Sequence, residues 1–194
     1  MATIDDSNLL RFRDPVTVRG TALLTREATG RADDQWVYLA AFKKAKKIAT
    51  SGRTNRFAGT DFTFEDLRTE DFDANTYKRL KDSKKDIAKV SKPCYVVESK
   101  PKKPEVSGYS RRVFYVEKER MLTVVVELYD HKKRHHKTLT SRDFEKLQGL
   151  WRAKRSMMQD HIRKTKTLWQ VTERKINSGL SDSLFTKRSL ERGL

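Results

Sequence analysis

Apolar and polar residues alternate in short runs from one end of this chain to the other. The cleanest run is 121–129, where Leu122, Val124, Val126 and Leu128 fall on one side and Thr123 and Glu127 on the other. Period two with many β-branched residues predicts a half-buried strand. Residues 113–116 read as its hairpin partner across the short polar stretch 117–120. Similar runs at 17–27, 35–40, 95–99, 136–140, 150–158 and 165–176 predict further strands. Their connections, such as 29–34, 130–134 and 177–179, are short and rich in Gly, Asp, Asn and Lys. Connections this short predict antiparallel pairing, because parallel crossovers need a dozen residues or more.

Two places depart from the alternation. Thr63 followed by Asp66 fits a loose capping box, predicting a short helix at 64–68 anchored by Phe62, Phe64 and Leu67. A second short turn is expected at 181–190, capped by Ser181 or Asp182 and carrying Leu184, Phe185 and Leu190. The Lys- and Ser-rich stretch 81–92 and the Lys- and Pro-rich stretch 100–107 read as exposed loops. No repeat or low-complexity block interrupts the chain, so one domain over 1–194 is expected.

Composition adds a modest core and a strong charge. Hydrophobic residues make up 36% of the 194, and 43 Lys+Arg against 26 Asp+Glu give +17. Such a charge favours anionic partners (nucleic acid, lipid headgroups or an acidic protein) or serves solubility alone. No stretch approaches the roughly 20 apolar residues of a membrane span, and 1–10 lacks the apolar core of a signal peptide. The single Cys94 excludes an intramolecular disulfide and reads as structural.

Signals for catalysis are sparse. His131, His135 and His136 lie among Lys132, Lys133, Arg134 and Lys137, cations that would repel a metal ion, so a solvated hairpin turn is the simpler account. His161 stands alone in the sequence. Asp61, Glu65 and Asp66 could do acid/base work, but capping explains them more simply. No phosphate-binding glycine pattern, nucleophile elbow or metalloprotease pattern is present, and neither cofactor nor metal is expected. Phe42-Lys-Lys-Ala-Lys-Lys47 and Trp151-Arg-Ala-Lys-Arg155 interleave aromatics with bases, which can bind nucleic acid; the alternative is a strand whose long cationic side chains lie over apolar surface.

A series of motifs then resembles a known family. Phe12-Arg-Asp-Pro15, Arg19-Gly-Thr-Ala-Leu-Leu24, Trp36-Val-Tyr-Leu39 and Lys43-Lys-Ala-Lys-Lys-Ile48 occur in that order. Arg56-Phe-Ala-Gly-Thr-Asp-Phe-Thr-Phe-Glu-Asp-Leu67 follows, and Leu180-Ser-Asp-Ser-Leu-Phe-Thr-Lys-Arg-Ser-Leu-Glu191 comes near the end. Together they resemble the bacterial outer-membrane lipoprotein-sorting proteins (LolA-like) over nearly the whole chain.

The resemblance implies a mainly β fold: a curved antiparallel sheet forming an incomplete half β-barrel, with short covering helices over an apolar concave side. It implies a non-enzymatic periplasmic carrier of lipoprotein or lipid cargo, working beside an inner-membrane exporter and an outer-membrane acceptor. Anionic surfaces are a further expected partner, and a basic nucleic-acid-binding β module is the competing reading. Family members usually carry a signal peptide, a helix and a first strand pair ahead of the Phe-x-x-Pro segment, so the chain is expected to be truncated relative to them. The usual proline after Trp-x-Tyr-x is Ala40 here.

The expected cavity residues are a stripe of Leu122, Val124, Val126 and Leu128, aromatic walls from Trp36, Tyr38, Trp151 and Trp169, and a lid of Phe62, Phe64 and Leu67. For each singly, core packing is the simpler account; only their collective facing decides.

Overall fold

The structure, a computed structural model, describes residues 6–27, 33–87 and 90–192. It is mainly β, with two antiparallel sheets and one α-helix among the described residues, and neither sheet closes into a barrel. The chain divides into two compact units, Met1–Arg53 with Asn177–Leu194, and Thr54–Ile176.

The first unit is a four-stranded meander: β1 (Ser7–Arg11), β2 (Ala22–Arg26), β3 (Asp34–Leu39) and β4 (Lys44–Lys47). Most of the expected connection 29–34 lies outside the described residues. Ala22 and Leu24 of β2 pack with Leu190 of the single helix α1 (Lys187–Arg192), joined by Leu9, Trp36, Tyr38, Ala45 and Phe185. Ser181 caps the turn before this helix, accepting from the Ser183 amide (3.3 Å), and the Thr186 hydroxyl accepts from the Ser189 amide (3.2 Å). Arg11 donates to the Leu190 carbonyl (2.7 Å), placing a cation on the carbonyl-rich end of the helix. β4 fits the snorkelling account: Ala45 packs into the cluster, and Lys47, on the same face two residues on, reaches over the Trp36 ring (5.7 Å) to Asp34 (2.6 Å).

The second unit is a seven-stranded sheet whose neighbours follow chain order: β5 (Asn75–Ile87), β6 (Val90–Pro101), β7 (Arg111–Glu117), β8 (Leu122–Tyr129), β9 (His135–Leu147), β10 (Leu150–Asp160) and β11 (Thr165–Gln170). The stretch 81–92, expected to be a loop, instead supplies the ends of two long paired strands, with Ser83 opposite Cys94 and Lys85 opposite Lys92. Its apolar content is low because β5 is an edge strand, and lysines on an edge discourage pairing with other chains. The last expected strand, 165–176, stops at Gln170.

A bulge decides which side chains share a face. β7 and β8 pair Tyr115 with Val125 but Val116 with Thr123, leaving Val124 without a partner residue. An extra residue in one strand resets the alternation beyond it. Leu122, Val124 and Val125 therefore lie on one face with Tyr115, and Val126 and Leu128 on the other with Phe114. The single stripe expected from the sequence is split between the two faces.

Candidate functional site

The Val126 face is covered by chain from its own unit. Phe62 and Tyr109 are buried against Val126, Leu128 and Met158, with Leu67, Phe114 and Leu139 packed around them. Trp169 of β11 meets Phe62 edge to face (centroids 6.0 Å), and Phe64 packs on Phe57 (5.6 Å). The expected helix is a single 3-10 turn, Glu65–Leu67. Its capping box is present: the Thr63 amide donates to Asp66 (2.8 Å) and the Asp66 amide to the Thr63 hydroxyl (3.2 Å).

The acidic cluster does more than cap. Asp66 also accepts from the Tyr109 hydroxyl (2.8 Å) and from Lys137 Nζ (3.1 Å), both partners being buried. Burial, reinforced by the Asp66 charge, pushes the Tyr109 phenol well above its ordinary value. Asp61 accepts from Thr165 (2.6 Å) and Thr167 (2.8 Å) of β11, and its carbonyl accepts from Lys137 (2.7 Å). Glu65 binds Arg112, Ser107 and the Gly108 amide. These charge-assisted bonds staple the segment 61–67 to the sheet at several strands. Lys137 was expected in a solvated turn; it stands on β9, where the turn has ended, and points inward.

The Val124 face is covered differently. Cys94, Val124 and Val125 are buried, with Tyr115, Leu122 and Phe144 against them. Burial pushes the Cys94 thiol up. Long cationic side chains lie over this cluster. Arg120 spans the Phe144 and Trp151 rings (5.1 and 5.2 Å) and pairs with buried Glu117 (2.6 Å). Lys85 stands 4.0 Å from the centre of the Tyr115 ring and pairs with Glu127 (2.7 Å).

That last pair joins β5 to β8 across the two strands between them. Three spacings of about 4.8 Å make roughly 14 Å, so the two long side chains lean toward each other over the Tyr115 ring to meet. Bulges at Leu80/Ser83 and Tyr115/Val116 add local twist to these strands. Glu127 also accepts from the hydroxyls of Tyr115 (3.1 Å) and Tyr129 (3.0 Å). Its burial would raise its pKa, but Lys85 outweighs that and holds the carboxyl below its ordinary value. Lys85 and Arg120, the cover of this face, had no functional signal in the sequence: the first lay in a presumed loop, the second in a turn.

The eleven expected cavity residues thus fall into three groups. Phe62, Leu67, Val126, Leu128 and Trp169 meet on the Val126 face, with Phe64 beside them on Phe57. Leu122, Val124 and Trp151 belong to the Val124 face, and Trp36 and Tyr38 to the core of the first unit. A cavity of about 330 Å³ opens at the far end of β9–β11, lined by Asp143, Lys154, Arg155, Gln170, Val171 and Thr172, none of them among the eleven.

The histidines do not converge on one point. His131 Nε2 lies 2.9 Å from the Ser107 carbonyl, and His136 Nε2 lies 3.4 Å from Asp160. His161, isolated in the sequence, meets His135 (centroids 4.3 Å), and both rings contact the Thr138 hydroxyl. Burial and the neighbouring His135 hold the His161 pKa down. Among the described residues no three His, Cys, Asp or Glu side chains cluster as metal ligands would.

Comparison with known proteins follows this geometry. A family described as uncharacterized protein matches residues 4–192. A solved structure described as an outer membrane lipoprotein-sorting protein domain, from Vibrio parahaemolyticus, is 31% identical, with 97% of this chain and 78% of that one aligned at a TM-score of 0.88. A DUF1329 family protein from Desulfovibrio piger is 28% identical over 96% of this chain and 77% of its own (TM-score 0.86). A LolA superfamily protein from Nitrosomonas europaea, 19% identical over 95% and 78%, shares the fold (TM-score 0.71). No curated protein matches.

Proposed function

This chain belongs to the outer-membrane lipoprotein-sorting (LolA-like) family, and from that premise we propose that it is a non-enzymatic periplasmic carrier that shelters the acyl chain of a lipoprotein or lipid on the Val124 face of its seven-stranded sheet. The observation that carries the reading is the cover of that face. Val124, Val125, Leu122 and Phe144 pack together on this face, and what lies over them includes the flexible stems of Lys85 and Arg120. Displacing these stems breaks only the side-chain pairs Lys85–Glu127 and Arg120–Glu117, whereas opening the Val126 face means moving a backbone segment held by the Lys137–Asp66 and Arg112–Glu65 pairs.

Hydrocarbon leaving water gains about 0.8 kcal/mol per CH₂. The displaced ammonium and guanidinium groups then stand at the mouth, where they can meet a phosphate or carboxylate headgroup. The exporter and acceptor that such a carrier serves belong to the same proposal.

Saturable binding of a fluorescent lipopeptide tests the reading. Val124→Glu is expected to abolish it. Because Val124 is 1% exposed, this variant can also lose its fold, so half-buried Trp151→Glu serves beside it, expected to weaken binding at least about tenfold with an unchanged circular dichroism spectrum. A wild-type protein that leaves the probe's fluorescence untouched refutes the carrier reading. Full binding by a folded Trp151→Glu protein moves the cargo off this face.

A further inference from the structure

The connections of the seven-stranded sheet differ in charge between its two ends. In an antiparallel meander, alternate connections lie at the same end. Connections β6–β7, β8–β9 and β10–β11 share one end; β7–β8 and β9–β10 share the other. At the first end, 102–106 brings Lys102 and Lys103 with Glu105, 130–134 brings Lys132, Lys133 and Arg134 with Asp130, and 161–164 brings Arg163 and Lys164. In the connections at the other end, Lys118 and Arg120 pair with Asp82 and Glu117, Glu119 pairs with Lys92, and 148–149 carries no charge; the exposed Lys84, Lys146 and Arg152 stand back on the adjoining strands.

The cations at the first end are exposed and largely unneutralised. Arg134 pairs with Asp130, and Lys102 donates to the Asp73 carbonyl. Lys103, Lys132, Lys133, Arg163 and Lys164 take part in no ion pair among the described residues. Asp71 and Asp73 lie at this end too, but beside the β5 edge and away from the β8–β11 tips. Apolar side chains stand among the cations: Ile162 is 43% and Val106 41% exposed. The tips are held in shape. Asp160 accepts from the amides of Ile162 (3.0 Å) and Arg163 (2.9 Å), and Asp130 from the amide of Arg134 (2.9 Å).

We propose that this end of the sheet docks on an anionic lipid bilayer, with Lys132, Lys133, Arg163 and Lys164 against the headgroups and Ile162 dipping into the interface. Charge complementarity selects the occupant. Cations on three separate connections form a broad, shallow array that matches a sheet of anionic headgroups, and an exposed isoleucine among them gains only where a hydrocarbon boundary lies beneath. Docking is independent of cargo binding, so either can fail alone.

Co-flotation of the full chain with vesicles tests it, comparing phosphatidylglycerol mixed with phosphatidylcholine against phosphatidylcholine alone. Each basic residue at an anionic surface contributes roughly fivefold in affinity. The quadruple variant K132Q/K133Q/R163Q/K164Q is therefore expected to lose several-hundredfold in affinity. The variant K81Q/K84Q/K146Q/R152Q, with the same change in net charge on exposed residues away from this end, is expected to lose less than about tenfold. Ile162→Ser should weaken the binding that survives at high salt. Equal losses in the two quadruple variants would assign the attraction to bulk charge and overturn the proposal. Wild-type protein that floats equally with both vesicles, or with neither, or that binds an acidic polypeptide or nucleic acid but no vesicle, overturns it as well.

Discussion

Lys137 and Asp66 form the one ion pair in which both side chains lie almost wholly out of water (3.1 Å, 2% and 3% exposed) among the described pairs. Removing one partner of such a pair leaves an uncompensated charge in the interior, at a cost of about 3–5 kcal/mol. Lys137→Met is therefore expected to lower the stability of the seven-stranded unit by that amount, read as a lower urea midpoint. Asp66→Asn added to it should recover part of the loss; an unshifted midpoint in Lys137→Met would show that the pair holds nothing. The residue scale is also where the sequence was least legible. Lys137 ends a run of His, Lys and Arg, and its partner lies 71 positions away. Asp66 as a cap was readable, because its partner Thr63 is local. Asp66 as a counter-ion was not, because only the assembled sheet brings β9 beneath it.

Strands and hairpins were the most legible elements. The β7–β8 hairpin, β3 and most of β10 follow from alternation, since a half-buried sheet writes its two faces into alternate positions. Two things broke the reading. An edge strand with little to bury, such as β5, carries no alternation and looks like a loop. A bulge is set by the register of two strands, so Val124 and Val126 seem alike in sequence while facing opposite ways. The joint made by β5 and β8 has a pH dependence. Glu127 is held below its ordinary value of 4.5 in the folded protein by Lys85, against the pull of its burial. A depressed carboxyl stabilises the fold fully above its unfolded value, and the gain drains away as pH falls through the folded value. The urea midpoint should thus drop as pH is lowered from about 5 toward 3, and drop less in Glu127→Gln. Equal slopes in the two proteins would place the acid sensitivity at other carboxylates, such as Glu98, held down by Lys100 and Arg111.

At the scale of the whole molecule, one unit is continuous in sequence and the other is not. Thr54–Ile176 contains all seven strands of its sheet and both of its apolar clusters. The other unit must bring 1–53 together with 177–194, because Leu190 closes the cluster on Ala22 and Leu24 and Arg11 holds the end of its helix. Its closure depends on one buried leucine from a six-residue helix that is far too short to be stable by itself. Deleting most of a buried leucine costs about 2–5 kcal/mol, a loss that falls on this unit alone. Leu190→Ala should therefore separate two transitions that the tryptophans report independently, Trp36 lying in the first unit and Trp151 and Trp169 in the second. In a Leu190→Ala protein keeping only Trp36, the emission change is expected at clearly lower urea than in one keeping only Trp169, whose midpoint should stay near that of the parent. Coincident midpoints that fall together would mean that Leu190 stabilises the sheet of Thr54–Ile176 as much as its own.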